Sequence, residues 1–191
     1  MSDELGWLDA ARRGERDAFR PAVDAYSRPL FVLCMRITRD AMLAEDAVQE
    51  AFFNAYRNLD RFDGRSSFKT WLHRIAVNAA LEQLRRHGTQ VLATPVPGDD
   101  DDGDDFLDRT LDETPRPDQH VHGVEIGRRI ADEMERLTPL ERAAFVMRHH
   151  EGESLEVIGR TLSLNNSASK QAIFRAVRKL RGALEPLRES S

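Results

Sequence analysis

Cysteine is nearly absent from this chain: Cys34 is the single one in 191 residues. One thiol cannot form an internal disulfide, and its place in the apolar run LFVLCM reads as a buried thiol in a reducing compartment. Also missing is any apolar run long enough to span a bilayer, so no membrane insertion is expected. The opening MSDELGWLDAARRGE does not read as a signal peptide, and a cytoplasmic location is expected. There is no Gly-rich phosphate loop, no GxSxG elbow and no HExxH spacing. His149-His150 and His120-x-His122 have no Cys pair to complete a zinc site, so they read as surface or capping residues. The aspartate cluster around Gly103 fails as a calcium loop, because Gly98 and Arg109 occupy places that need carboxylates. Strand patterns and internal repeats are absent as well. Neither an enzyme nor a cofactor or metal is expected.

Charge is abundant but uneven. The net charge is −5. Residues 98–118 alone carry ten acids and two arginines, a balance of −8, which leaves +3 for everything else. Between Arg61 and Gly88 six Lys/Arg face only Asp63 and Glu82. From Leu164 to Leu184 there are five basic residues and no acid. Two basic patches flanking an acidic spacer point to polyanionic partners.

The periodicity is helical wherever it is regular, which makes the fold class all-α. Between Asp40 and Leu59 the apolar positions Ala44, Ala47, Val48, Ala51, Phe52, Ala55 and Tyr56 recur three and four apart, with Asp40 as N-cap. Ser66 or Ser67 caps a following helix that carries Phe68, Leu72, Ile75, Ala76 and Ala79 on one face. Upstream, Phe19–Thr38 is helical with Pro21 in its first turn, and Pro29 is expected to bend or break it. Residues 89–122 lose this pattern to Pro, Gly and Asp and read as a disordered acidic linker. Beyond it, Thr138-Pro139-Leu140-Glu141 is a capping-box start. Ser154 begins a short helix, Ser163-Leu164-Asn165 makes a turn, and Asn166 or Ser167 begins a last helix striped by Ile173, Ala176, Val177 and Leu180. This is a helix-turn-helix pattern.

Three faces are candidates for binding. The Arg61–His87 stretch interleaves Phe62 and Trp71 with Lys69, His73, Arg74 and Asn78, a mixture suited to stacking unpaired bases and tracking phosphates. On the last helix Lys170, Gln171, Phe174, Arg175 and Arg178 face away from the apolar stripe. Gln pairs with adenine, Arg or Lys with guanine, and Phe touches a thymine methyl in the major groove. On the 40s–50s helix, Asp46, Gln49, Glu50, Phe53 and Arg57 form a second stripe whose apolar anchor fits a protein contact.

The segment Ala44 to Arg86, AEDAVQEAFFNAYRNLDRFDGRSSFKTWLHRIAVNAALEQLRR, closely resembles region 2 of extracytoplasmic-function (group 4) sigma factors of the sigma-70 family. LTPLERAAFVMRHHEGESLEVIGRTL and KQAIFRAVRKLRGAL resemble their region 4. The resemblance implies a region 2 helical bundle over 1–88, the linker over 89–122, and a region 4 helix-turn-helix over 123–188. It further implies an alternative sigma factor that binds core RNA polymerase through the β′ clamp helices and β flap and directs promoter recognition. The Asp46–Arg57 face would dock on the clamp helices. Phe62, Lys69, Trp71, His73, Arg74 and Asn78 would hold the melted −10 strand. Lys170, Gln171, Phe174, Arg175 and Arg178 would meet the duplex −35 element, and the linker would thread through or near the RNA exit path. An anti-sigma factor is a frequent partner in such families.

The chain departs from the family pattern at Ser163, where glycine is usual, at Ser169, where an apolar residue packs, at Ala172, where arginine is common, and at His73, where tyrosine is frequent. The alternative to a sigma factor is a stand-alone helix-turn-helix regulator whose first half senses a signal or dimerises.

Overall fold

The computed structural model describes residues 2–15, 17–89 and 132–188. These residues are helical or in turns, with no strand among them. The chain divides into two compact units, Met1–Gln90 and Val91–Ser191. Most of the acidic linker, His120 and His122 lie outside the described residues.

The first unit contains α1 (Ser2–Arg12), α2 (Arg20–Thr38), α3 (Ala41–Arg57), a 3-10 turn at Leu59–Arg61, and α4 (Phe68–Arg86). Local chemistry sets the boundaries. The Asp40 carboxylate accepts the Leu43 N–H and starts α3, while Ser67 accepts the Thr70 N–H and starts α4. Between α2 and α3, Arg39 turns into the left-handed region (φ 62°) and its N–H closes on the Met35 carbonyl.

Along α3 the inward positions Ala44, Ala47, Ala51 and Ala55 are fully buried. Alanine buries little area, so its effect is on distance: α2 and α4 lie close on both sides of α3. Larger side chains fill the remaining space, with Leu30, Leu33 and Ile37 from α2 and Leu72, Val77 and Leu81 from α4. Each contributes about 1.5–3 kcal/mol relative to exposure. The Cys34 thiol lies in this core, 3.9 Å from the Ala76 carbonyl, and burial pushes its pKa up to about 12.

Two expectations need correction. Of the bend or break expected at Pro29, the break does not occur: α2 runs unbroken from Arg20 to Thr38. Its ring is on the exposed side, and Leu30, Leu33 and Ile37 beyond it are buried, so packing outweighs the missing N–H. Tyr56, expected in the buried stripe of α3, is 48% exposed and touches Phe19 edge-on.

The second unit contains a helical stretch over 132–136, then α5 (Pro139–His149), α6 (Leu155–Leu162) and α7 (Asn166–Arg188). Thr138 and Glu141 form the full capping box of α5. That helix is buried along most of its length, with Ala143, Ala144, Val146 and Met147 inside. Ser154 caps α6, and Asn165 accepts the Ala168 N–H to open α7. The turn between α6 and α7 closes tightly, with the Leu164 N–H donating to the Gly159 carbonyl at 2.8 Å. Ser163 holds the left-handed cap position there, φ 57° and ψ 41°. A Cβ on Gly159 would stand 2.7 Å from the Leu164 carbonyl oxygen, so no side chain fits at that approach.

Candidate nucleic-acid interface

In α4 the residues at spacings of three and four, Trp71, Arg74 and Asn78, share the side turned away from the core. Trp71 and Arg74 are half-buried and Asn78 is exposed. Trp71 lies against Phe62, with ring centroids 5.3 Å apart, and against Phe68 at 5.6 Å. An aromatic edge, a guanidinium and a carboxamide thus stand in a row, able to stack a base, hold a phosphate and read a base edge.

The other sequence candidates in this stretch are placed differently. Lys69 is exposed in the first turn, on another side of the helix from Arg74, so the two do not converge. His73 is 6% exposed, because its position points inward beside Leu72 and Val77. Phe62 is 8% exposed, its ring edge-on to Phe68 at 5.7 Å. Both therefore support the surface from beneath in this conformation.

Sequence reasoning overlooked what lies under that surface. Trp7 of α1 meets Phe68 at 4.9 Å and Phe19 at 5.7 Å, and Phe19 reaches Phe52 and Tyr56. Rings from α1, α3 and α4 gather around Phe19, at the start of α2, as one aromatic cluster at this end of the unit. Edge-to-face pairs of this kind contribute about 0.5–1.5 kcal/mol each beyond their area. Nothing in local periodicity links Trp7 to a ring as distant in the chain as Phe68.

On α3 the outward stripe carries Asp46, Gln49, Phe53 and Arg57, all exposed. Phe53 is 59% exposed with the Arg57 guanidinium 5.3 Å from its ring centroid. Met42, on the same side, is 72% exposed. Glu50 is the exception in that stripe: it is half-buried, accepting from Gln83 Nε2 at 2.9 Å and from Arg86 at 3.1 and 3.3 Å. That carboxylate is occupied in tying α3 to the end of α4.

On α7, Arg178 is exposed, while Lys170, Gln171, Phe174 and Arg175 are half-buried. Arg175 does not stand clear of the unit: its Nε donates to Glu141 Oε1 at 3.1 Å, and Lys179 Nζ donates to Glu141 Oε2 at 2.7 Å. Burial pushes the Glu141 carboxyl up. The hydrogen bonds from Lys179 and the Thr138 N–H, with the charges of Lys179 and Arg175, outweigh that and hold it below the usual carboxylate range. The capping box is visible in the sequence, but not that its glutamate also binds the basic helix. Ser169, where the family pattern has an apolar side chain, is fully buried beside Gly159. Its hydroxyl donates to the Asn165 carbonyl at 2.9 Å, so the small polar side chain is satisfied. His149 packs on Phe145 with centroids 4.6 Å apart. Burial, then the charges of Arg148 and His150, lower its pKa.

Known proteins resemble the chain in both of its units. Residues 22–90 match the family model for sigma-70 region 2, and residues 127–180 match that for sigma-70 region 4. The RNA polymerase sigma-H factor of Pseudomonas aeruginosa is 32% identical over 94% of this chain and 93% of its own length. The extracytoplasmic-function sigma factor SigW of Bacillus subtilis is 31% identical over 94% of this chain and 96% of its own. The sigma-E factor of Escherichia coli is 30% identical over 98% of both. Among solved structures, CnrH in complex with the cytosolic domain of CnrY shares the fold, with a TM-score of 0.59, 22% identity and coverage of 94% and 96% of the two chains. So does RpoE of Bartonella quintana in complex with the anti-sigma factor NepR, with a TM-score of 0.59, 18% identity and coverage of 88% and 98%. The first half, which a stand-alone helix-turn-helix regulator would use for sensing or dimerisation, instead matches sigma-70 region 2. With both regions in order and relatives matched over more than nine-tenths of their length, the chain belongs to the extracytoplasmic-function sigma factors of the sigma-70 family, alternative sigma factors that direct transcription initiation.

Proposed function

We propose that this sigma factor divides its work between the two units, with 1–88 docking on core RNA polymerase and opening the −10 element, 89–122 joining the units, and 123–188 reading the −35 element. The observation that carries the reading is the row of Trp71, Arg74 and Asn78 on the open side of α4. Opening a duplex needs capture of the bases it releases, and this row combines a stacking ring with donors for a phosphate and a base edge. Lys69 adds positive charge at the first turn, and Phe62 and His73 back the surface.

The α3 stripe of Asp46, Gln49, Phe53 and Arg57 is the docking face for the β′ clamp helices, with Phe53 as the apolar anchor and Glu50 bracing the helix behind it. In the second unit, the start of α7 enters the major groove with Lys170, Gln171 and Phe174 toward the bases and Arg178 toward phosphate. The β flap receives the second unit. Arg175 holds the helix to α5 through Glu141. The protein selects and opens promoters without performing chemistry of its own, works in the cytoplasm, and has an anti-sigma factor as its regulator.

The test is in vitro transcription from fragmented genomic DNA of the source organism with bacterial core polymerase, with and without the protein. Transcripts that require it, and that disappear with Arg74→Ala plus Asn78→Ala while core binding persists, support the reading. Absence of such transcripts, with tight duplex binding in the absence of core, refutes it.

A further inference from the structure

Arg12 reaches across the first unit to the connection that leads into α4. Its Nε and Nη2 donate to the Leu59 carbonyl at 3.4 and 3.5 Å, and Nη2 also donates to the Phe62 carbonyl. On the far side of the guanidinium, Nη1 stands 3.7 Å from Asp9, one turn back in α1. Trp7 of the same helix presses on Phe68, the first residue of α4. Helix α1 therefore grips the chain on both sides of the connection.

Between those two grips, residues 62–67 belong to no helix. Their shape is local in the middle, where Asp63 accepts the Arg65 N–H at 3.1 Å and Gly64 takes a φ of 73°. At the far end Ser67 caps α4. At the near end the 3-10 turn closes with the Phe62 N–H on the Leu59 carbonyl, and the Phe62 carbonyl beyond it has no following helical turn to donate to it. A charged planar donor that spans both carbonyls is what holds that end in place. Asp63 and Arg65 at the tip stay exposed, next to the Trp71–Arg74–Asn78 row in chain and in space through the Phe62–Trp71 contact.

We infer that Arg12 is a positioning residue for strand capture: its bonds to the Leu59 and Phe62 carbonyls preset the 62–67 loop as one wall of the site that receives an unpaired base. The inference rests on the sigma reading proposed above. Arg12 meets no nucleic acid in this role. It removes, before binding, the ordering cost that a loose loop would bring to each capture event. The N-terminal helix is thus part of the opening machinery, although it lies far ahead in the chain of the groups that touch DNA.

The experiment uses full-length protein, core polymerase and promoters recovered with the wild-type chain. Arg12→Met keeps the aliphatic stem and removes the donors, and Arg12→Lys keeps the charge on one nitrogen that cannot span both carbonyls. Leu33→Val, in the fully buried core of α2, supplies comparable destabilisation without touching the loop. Promoter opening is read by permanganate reactivity of unpaired thymines, alongside core affinity and thermal unfolding. Arg12→Met is expected to lower opening about tenfold, the worth of one charge-assisted hydrogen bond, with core affinity held within about twofold. Arg12→Lys should fall between, and Leu33→Val should open normally. Wild-type opening by Arg12→Met, or equally poor opening by Leu33→Val at matched stability, would overturn the role. Should Arg12→Met fail to fold, Arg12→Lys against Leu33→Val decides between the same two outcomes. A wild-type chain that opens no promoter with core removes the sigma reading itself, a result distinct from a normal Arg12→Met.

Discussion

Replacing Glu141 by alanine removes one carboxylate that three donors share. Its Oε1 accepts from Arg175 and its Oε2 from Lys179 and the Thr138 N–H, at 2.7 to 3.1 Å. The carboxylate side chain is 4% exposed, whereas Arg175 and Lys179 are 23% and 40% exposed. Breaking a fully buried ion pair costs about 3–5 kcal/mol, but both cations here can turn toward water, so about 1–2 kcal/mol is the better figure. Loss of the capping-box arm adds about 0.5–1 kcal/mol. The expected total is about 1.5–3 kcal/mol, a large share of what so small a unit possesses.

The assay can isolate that unit, because Trp7, Trp71, Tyr26 and Tyr56 all precede residue 90 and none follows it. Tryptophan fluorescence therefore follows the first unit alone, while far-UV circular dichroism follows both. With a urea slope of about 1 kcal/mol/M, Glu141→Ala should move the dichroism-only transition down by about 1.5–3 M and leave the fluorescence transition in place. Glu141→Gln keeps one acceptor oxygen and should cost about half as much. Acid should loosen the same tie. The folded pKa lies below the ordinary 4.5, so the stability it brings is present above that value and lost as pH falls through the folded pKa. Glu141→Gln should flatten that acid limb for the second unit only. A dichroism shift under about 0.5 M, or an equal shift in fluorescence, would refute the assignment of Glu141 as the tie between α5 and α7.

Three further expectations follow from the same geometry. Gly159→Ala puts a methyl 2.7 Å from a backbone oxygen and should destabilise the second unit by about 2–4 kcal/mol, read as loss of its urea transition. Ser163→Gly removes the left-handed strain of a non-glycine cap and should stabilise the same unit by about 0.5–1 kcal/mol after the entropy of the unfolded glycine is offset, read as a higher urea midpoint. Cys34, buried with its pKa near 12, should resist a disulfide-exchange reagent in native protein and react at once in urea; rapid native reaction would contradict the packing of α2 on α4.

Much of this protein is legible without its structure. The N-caps at Asp40, Ser67, Thr138 and Ser154 can be read because a cap is a bond between residues two or three apart. The helical spacing of alanines in α3 and of Leu72 and Ala76 in α4 announces which faces are buried. The basic, aromatic character of Arg61–His87 marks the stretch as a candidate nucleic-acid surface. What local pattern cannot say is which of its residues face outward. Spacing alone groups Lys69, His73 and Arg74, and the packing of α4 instead turns His73 into the core and aligns Arg74 with Trp71 and Asn78.

The remaining decisions belong to tertiary structure because they join residues far apart in the chain. Arg12 meets the Phe62 carbonyl fifty positions away, Glu50 meets Arg86 thirty-six away, and Glu141 meets Arg175 thirty-four away. Each converts a residue that reads as surface charge into one that holds a helix or loop in place. A sequence determines helices through neighbours within one turn, whereas the pairing of a charge with a distant partner is settled only once apolar faces have packed and brought the two within reach.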